Sequence, residues 1–149
     1  MSSKAPRERR MRSKGRKHIF IPDTQVHDGV CIDHIRAAAQ YAVEKQPDIV
    51  IMIGDWWDMP SLSSYEQKGS KYFHDKSYRA DVEAGNRAME EFMRPIRAEQ
   101  ERRRRNKERQ WKPEMHFFMG NHEYRIERAI HNDPILAGTI GYEDLCTDG

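Results

Sequence analysis

Cysteine is almost missing from this chain: Cys31 and Cys146 are the only two in 149 residues. Such a count builds no disulfide framework and no CxxC metal or redox site, and it suits a reducing cytosol. Neither thiol sits in a motif that would activate it, so neither is a candidate nucleophile. Long apolar runs are also missing. Nothing approaches the ~20 residues of a membrane-spanning helix, and the start "MSSKAPRERRMRSKGRK" lacks the apolar core of a signal peptide. The expectation is a cytoplasmic protein without a membrane segment. No internal repeat is visible. Hydrophobic residues make up 37% against 34% charged, with a mean hydropathy of −0.98. One domain with one core fits that length, with some segments outside the core.

Charge is unevenly spread. Residues 1–17 carry eight Lys/Arg against Glu8, a local +7, so the other 132 residues sum to −5 within the total of +2. A basic, disordered tail is expected there, with nucleic acid as one possible partner and simple solvation as the other. Seven more basic residues fall among three acidic ones between Arg97 and Arg109, including "RRRR" at 102–105. This run reads first as an exposed helix end and second as a phosphate-binding patch.

Three short apolar runs end in polar residues: "HIFIP" 18–22, "DIVIMIG" 48–54 and "MHFFMG" 115–120. Continuous apolar runs bounded by turn formers suit strands buried in a parallel sheet. Between the first two, Ile32, Ile35, Ala39 and Val43 recur at helical spacing over 31–46, with Pro47 beyond the end. After a loop over 59–77, residues 78–110 read as a helix with Val82, Met89, Phe92, Met93 and Ile96 as its apolar stripe. Pro95 should kink or end it. A last helix is expected over 123–133, stopped by Pro134. The order β-α-β-α-β predicts a layered α/β fold with right-handed crossovers.

Ligands in open α/β sheets bind beyond the carboxyl ends of the strands. Those ends read Asp23-Thr-Gln25, Gly54-Asp55-Trp-Trp-Asp58 and Gly120-Asn121-His122-Glu123. Asp23 and Asp55 bring carboxylates, Asn121 an amide oxygen and His122 an imidazole, a mix that suits hard or borderline divalent ions. Gly54 and Gly120 permit tight turns directly before the polar residues. Taken singly, Asp23 is ordinarily a turn former or cap, "GD" is a common loop pair, and Asn-His can cap a helix. Three such motifs at successive strand ends are harder to explain as turn chemistry. His74 and His131 read as ordinary histidines, and Trp56 and Trp57 as packing residues near the site.

The sequence D-x-Q … GDWWD … GNHE resembles the first three motifs of the calcineurin-like metallophosphoesterases, D-x-H, G-D-x-x-[DR] and G-N-H-[DE]. "GDWWDMPSLSSY", "ADVEAGNRAM" and "GNHEYRIERAIHNDPILAGTIGYEDL" look like phage- and prophage-encoded members, which would place the protein in a host cytoplasm. The resemblance covers about residues 18–149 and implies a layered β-sandwich with flanking helices. It implies that Asp23 binds a first metal, Asp55 bridges two, and Asn121 binds the second, while His122 protonates the leaving oxygen or stabilises the transition state. Asp58 and Glu123 would support these groups. Two divalent ions ~3.5–4 Å apart, Mn²⁺ first and Mg²⁺, Fe or Zn²⁺ next, would clamp phosphate oxygens.

Two positions depart from that pattern. Gln25 stands where the family has histidine; its carbonyl suits Mn²⁺, Mg²⁺ or Ca²⁺ better than Zn²⁺ or Fe, and His27 is the alternative ligand. No G-H-x-H follows, and no histidine lies beyond His131. The chain is therefore expected to be the amino-terminal portion of a longer enzyme, or to be completed by a second polypeptide. A half-sandwich of this kind should leave an open sheet edge and an exposed apolar face. The implied activity is metal-dependent hydrolysis of phosphomonoesters or phosphodiesters. The alternatives are a related nuclease acting on DNA and an inactive binding or scaffold module.

Overall fold

The computed structural model describes residues 15–63 and 77–147. Most of the basic tail, residues 64–76 of the expected loop, and His74 lie outside the described residues. The architecture is mixed α/β. Strands β1 (His18–Ile21), β2 (Ile49–Met52) and β3 (Glu114–Phe117) form a parallel sheet in the order β1-β2-β3. Each strand is four residues, shorter at its ends than the apolar runs suggest.

Helix α1 (Asp33–Lys45) joins β1 to β2, and α2 (Tyr78–Arg105) joins β2 to β3. Both crossovers step the same way across the sheet, so right-handed connections place both helices on one face. They pack together there, with Arg36 of α1 paired to Glu91 of α2 at 3.3 Å. α1 buries Ile35, Ala39 and Ala42, and α2 buries Val82, Met89, Phe92 and Ile96. Ile32, Val43 and Met93 of the expected stripes are partly buried at the margin of this core.

Of the two outcomes expected for Pro95, a kink or an end, the second does not occur: α2 runs through it. Its missing N–H forfeits one helical bond, but Phe92 and Ile96 on either side are fully buried. Burial of two such side chains contributes about 1.5–3 kcal/mol each and holds the helix through the proline. The helix stops instead at Arg105. Lys107 adopts a left-handed φ of 55°, Glu108 N–H bonds to Arg103 O at 2.9 Å, and Lys107 N–H bonds to Arg104 O at 3.2 Å. That is the Schellman arrangement, which satisfies the last carbonyls.

The register pairs Ile21 with Met52 and Met52 with Phe117, and these residues face the helices. Among the described residues, nothing packs over the carboxyl-end half of the opposite face. Phe20 is 60% exposed, Ile53 49% and Phe118 58%, a continuous apolar strip on a parallel sheet that normally has both faces covered. The exposed apolar face expected of a half-sandwich is present among the described residues. Helix α3 (Arg125–Asn132) follows a turn after β3, and short 3₁₀ turns at Pro134–Leu136 and Tyr142–Asp144 complete the chain. The last of these docks on α2: Tyr78 Oη donates to Asp144 Oδ2 at 2.5 Å, and Asn86 Nδ2 donates to Asp144 O at 2.9 Å. Among the described residues, no helix is long and apolar enough to cross a membrane.

Candidate active site at the carboxyl edge of the sheet

Three loops leave the carboxyl ends of the strands, and hydrogen bonds lace them together. The first two run side by side. Gln25 N–H donates to Asp55 O at 2.8 Å, Val26 N–H to Trp56 O at 2.7 Å, and Asp58 N–H to Val26 O at 2.9 Å. Val26, 1% exposed, pins this pairing into the core. The loops are also conformationally forced. Asp23, Gln25, Asp55 and Met59 all adopt positive φ, from 44° to 55°. Non-glycine residues held there cost about 1–3 kcal/mol each and persist only where their surroundings over-determine them.

The second and third loops approach so closely that only glycine fits. A Cβ on Gly54 (φ 98°) would lie 2.7 Å from the Gly120 backbone, and one on Gly120 would lie 2.2 Å from Asp55 Oδ1. Glu123 ties the two loops. Completely buried, its Oε2 accepts from Asp55 N–H at 3.0 Å and Gly120 N–H at 2.8 Å, and its Oε1 accepts from Trp57 N–H at 3.0 Å. Its role is to hold the frame.

Asp55 and His122 meet at this junction. Asp55 is 8% exposed, and its Oδ1 accepts the His122 N–H at 2.9 Å, leaving Oδ2 free among the described residues. The His122 ring turns toward Asp58, with Nδ1 2.8 Å from the Asp58 carbonyl and 2.8 Å from its Oδ1. The Asp58 carbonyl can only accept, which assigns a proton to Nδ1.

Arg125, which the sequence did not single out, completes the support. Its side chain is 12% exposed, and Nη1 donates to the carbonyls of Asp58 at 2.8 Å and Met59 at 3.2 Å. The signal was faint: Arg125 stands three residues after His122, one helical turn on.

Asp23, Gln25 and Asn121 are exposed at the same edge, and their side chains make no hydrogen bond among the described residues. His27 is half-buried, with Nδ1 2.8 Å from Asp28 O. It also lies close enough to Asp81 for its charge to be felt. Asp81 is buried, accepts Ser61 N–H at 2.9 Å and Ser61 Oγ–H at 2.5 Å, and is pushed upward in pKa by that burial. Among the described residues, no three His, Cys, Asp or Glu side chains are grouped so as to hold a metal ion.

The tryptophans are structural. Trp56 and Trp57 are buried at 1% and 0%, and their indole N–H groups donate to Gly85 O at 3.0 Å and Val82 O at 3.3 Å. Trp57 packs edge-on against Phe117, centroids 5.6 Å apart. Gly85 exists for this contact, since a Cβ there would sit 2.0 Å from the Trp57 ring. The pair anchors the second loop to α2.

Arg102–Arg105 lie elsewhere. They precede β3 and so belong to the amino edge, paired with Glu99, Glu101 and Glu108. They do not reach the site. Comparison of the chain with protein-family models, curated proteins and solved structures returned no match.

Proposed function

We propose that this edge is the amino-terminal part of a divalent-metal phosphoesterase site of the calcineurin-like type. The three motif loops carry the reading: they converge at one sheet edge, with Asp55 bonded to His122 and His122 oriented by Asp58. The donor set fits a hard ion. Asp23, Gln25, Asp55 and Asn121 are all oxygen donors, suited to Mn²⁺ or Mg²⁺ with water and substrate filling the remaining positions, and unlike the thiolate and imidazole shells of Zn²⁺. When bound, such ions would neutralise phosphate oxygens and activate the attacking water.

The chain's own groups supply the rest. His122, when doubly protonated with Nδ1–H directed at Asp58, would hand its Nε2 proton to the leaving oxygen. The Asp55 carboxylate is kept in one orientation by the His122 amide. Backbone strain and Glu123 fix both loops before substrate arrives, so little reorganisation remains. On this reading, the exposed face carrying Phe20, Ile53 and Phe118 is where the second layer of a sandwich would pack.

The test is hydrolysis of para-nitrophenyl phosphate and bis(para-nitrophenyl) phosphate with Mn²⁺. The expected result is turnover that Asp55→Asn reduces by about 10³-fold or more, the scale set by losing a preorganised electrostatic group. Turnover equal in wild type and Asp55→Asn would overturn the proposal for this chain and leave the binding-module reading.

A further inference from the structure

The opposite end of the sheet carries a second feature, independent of the site above. A groove of about 950 Å³ crosses the amino end of β2, between residues 15–17 on one side and 109–112 on the other. Arg16, Lys17, Arg103, Arg109 and Lys112 line it, against the carboxylates of Asp48 and Glu114. Its floor is built and rigid. Trp111, 8% exposed, donates its indole N–H to Pro47 O at 2.8 Å, Lys17 N–H donates to Asp48 Oδ2 at 2.7 Å, and Glu114 N–H donates to Asp48 O at 2.9 Å.

The cations differ in what occupies them. Arg103 is held by Glu99 at 2.6 Å, and Arg16 by Glu114 at 2.6 Å in an exposed pair. Exposed pairs are weak and readily exchanged for another anion. Arg109 and Lys112 are exposed, and their charged groups have no partner among the described residues. Six further Lys/Arg precede Gly15 in the sequence.

We infer that this groove is a binding surface for the phosphodiester backbone of a nucleic acid. Excess positive charge on both walls favours an extended polyanion over a single small ion, because several phosphates are neutralised together and their counterions are released. A concave, polar surface is poorly matched to a flat bilayer. The absence of a free aromatic face, with Trp111 turned into the core, points to backbone contact without base readout.

The test uses the full chain in EDTA, so metal chemistry cannot contribute, with a fluorescein-labelled 20-nucleotide DNA titrated from 50 to 200 mM salt. Arg109→Gln/Lys112→Gln should weaken binding about 10-fold or more at low salt. It should also lower the magnitude of the log–log salt slope by about 1.4–2, the contribution of two phosphate contacts. Arg79→Gln/Arg94→Gln removes the same charge at other sites on α2 and should leave affinity within about twofold. Equal losses in the two double variants would overturn the groove. So would tighter binding of polyglutamate or phosphatidylserine vesicles than of the oligonucleotide at matched charge. Loss of phosphatase activity would leave all of these outcomes unchanged, so the two readings fail separately.

Discussion

At its carboxyl edge the sheet runs into backbone forced to positive φ at Asp23, Gln25, Asp55 and Met59; at its amino edge positive φ occurs only in helix-ending positions, Gln46 and Lys107. The carboxyl edge is held by buried side-chain-to-backbone bonds from Glu123 and Arg125. The amino edge is held by exposed ion pairs such as Arg102 with Glu99 and Glu108. One end therefore holds its polar groups to fixed geometry, and the other presents charge on exposed side chains. On the two proposals above, strain would serve orientation at the first, and surface charge would suffice at the second for a long, repetitive partner.

The comparison breaks most visibly in catalysis. Besides Asp55→Asn, His122→Asn should lower turnover by about 10²–10⁴-fold as expected for loss of a general acid. Asp58→Asn keeps the carbonyl that Nδ1 also faces, and should cost far less. Equal losses in the two variants would show that the Asp58 carboxylate does the orienting.

Stability comes next. Glu123→Ala leaves three buried N–H groups without their acceptor. It should destabilise by about 3–5 kcal/mol in chemical denaturation, since each buried donor left without an acceptor costs about 1–3 kcal/mol. A loss below about 1 kcal/mol would contradict the framing role. Gly85→Ala sets two effects against each other. Alanine favours the helix by about 1 kcal/mol, but its methyl would meet the Trp57 ring at 2.0 Å. Overpacking costs about 1–3 kcal/mol, so net destabilisation is expected together with weaker Mn²⁺ binding at the loop Trp57 anchors.

The smallest effect belongs to the amino edge. Hydrogen bonds from Arg102 and then Arg103 hold Glu99 down to about 2, from an ordinary 4.5. A depressed folded-state pKa contributes stability above the unfolded value that is lost as pH falls toward the folded one. Amide protection across residues 102–109, corrected for intrinsic rate, should stay constant above about pH 4.5 and decline between there and about pH 2. Glu99→Gln should flatten that decline, while protection around Glu123 should be the same in both proteins.

Much of this was legible in the chain. The three apolar runs announced the strands, and the 3.6-residue spacing of Ile35, Ala39, Val82, Met89 and Ile96 announced the helix faces. The convergence of Asp55, Asn121 and His122 at one edge followed from β-α-β order. Pro95 allowed a kink or an end from sequence; the helix does not end there, since one missing hydrogen bond is outweighed by burial of Phe92 and Ile96. Arg125 and Gly85 were not legible, since their value lies in contacts with Met59 and Trp57, which are distant in sequence.

The sequence by itself determined which residues are strand, helix and polar motif, because periodicity and turn chemistry act over a few neighbours. Only the tertiary structure decided that Glu123 is a frame and Asp58 the partner of His122. It alone also separated the arginine run from the site and left the charged groups of Arg109 and Lys112 without a partner among the described residues. Those assignments depend on which carbonyl, amide or charge stands within ~3 Å across the fold, and hydrogen bonds of that range are fixed by packing rather than by position along the chain.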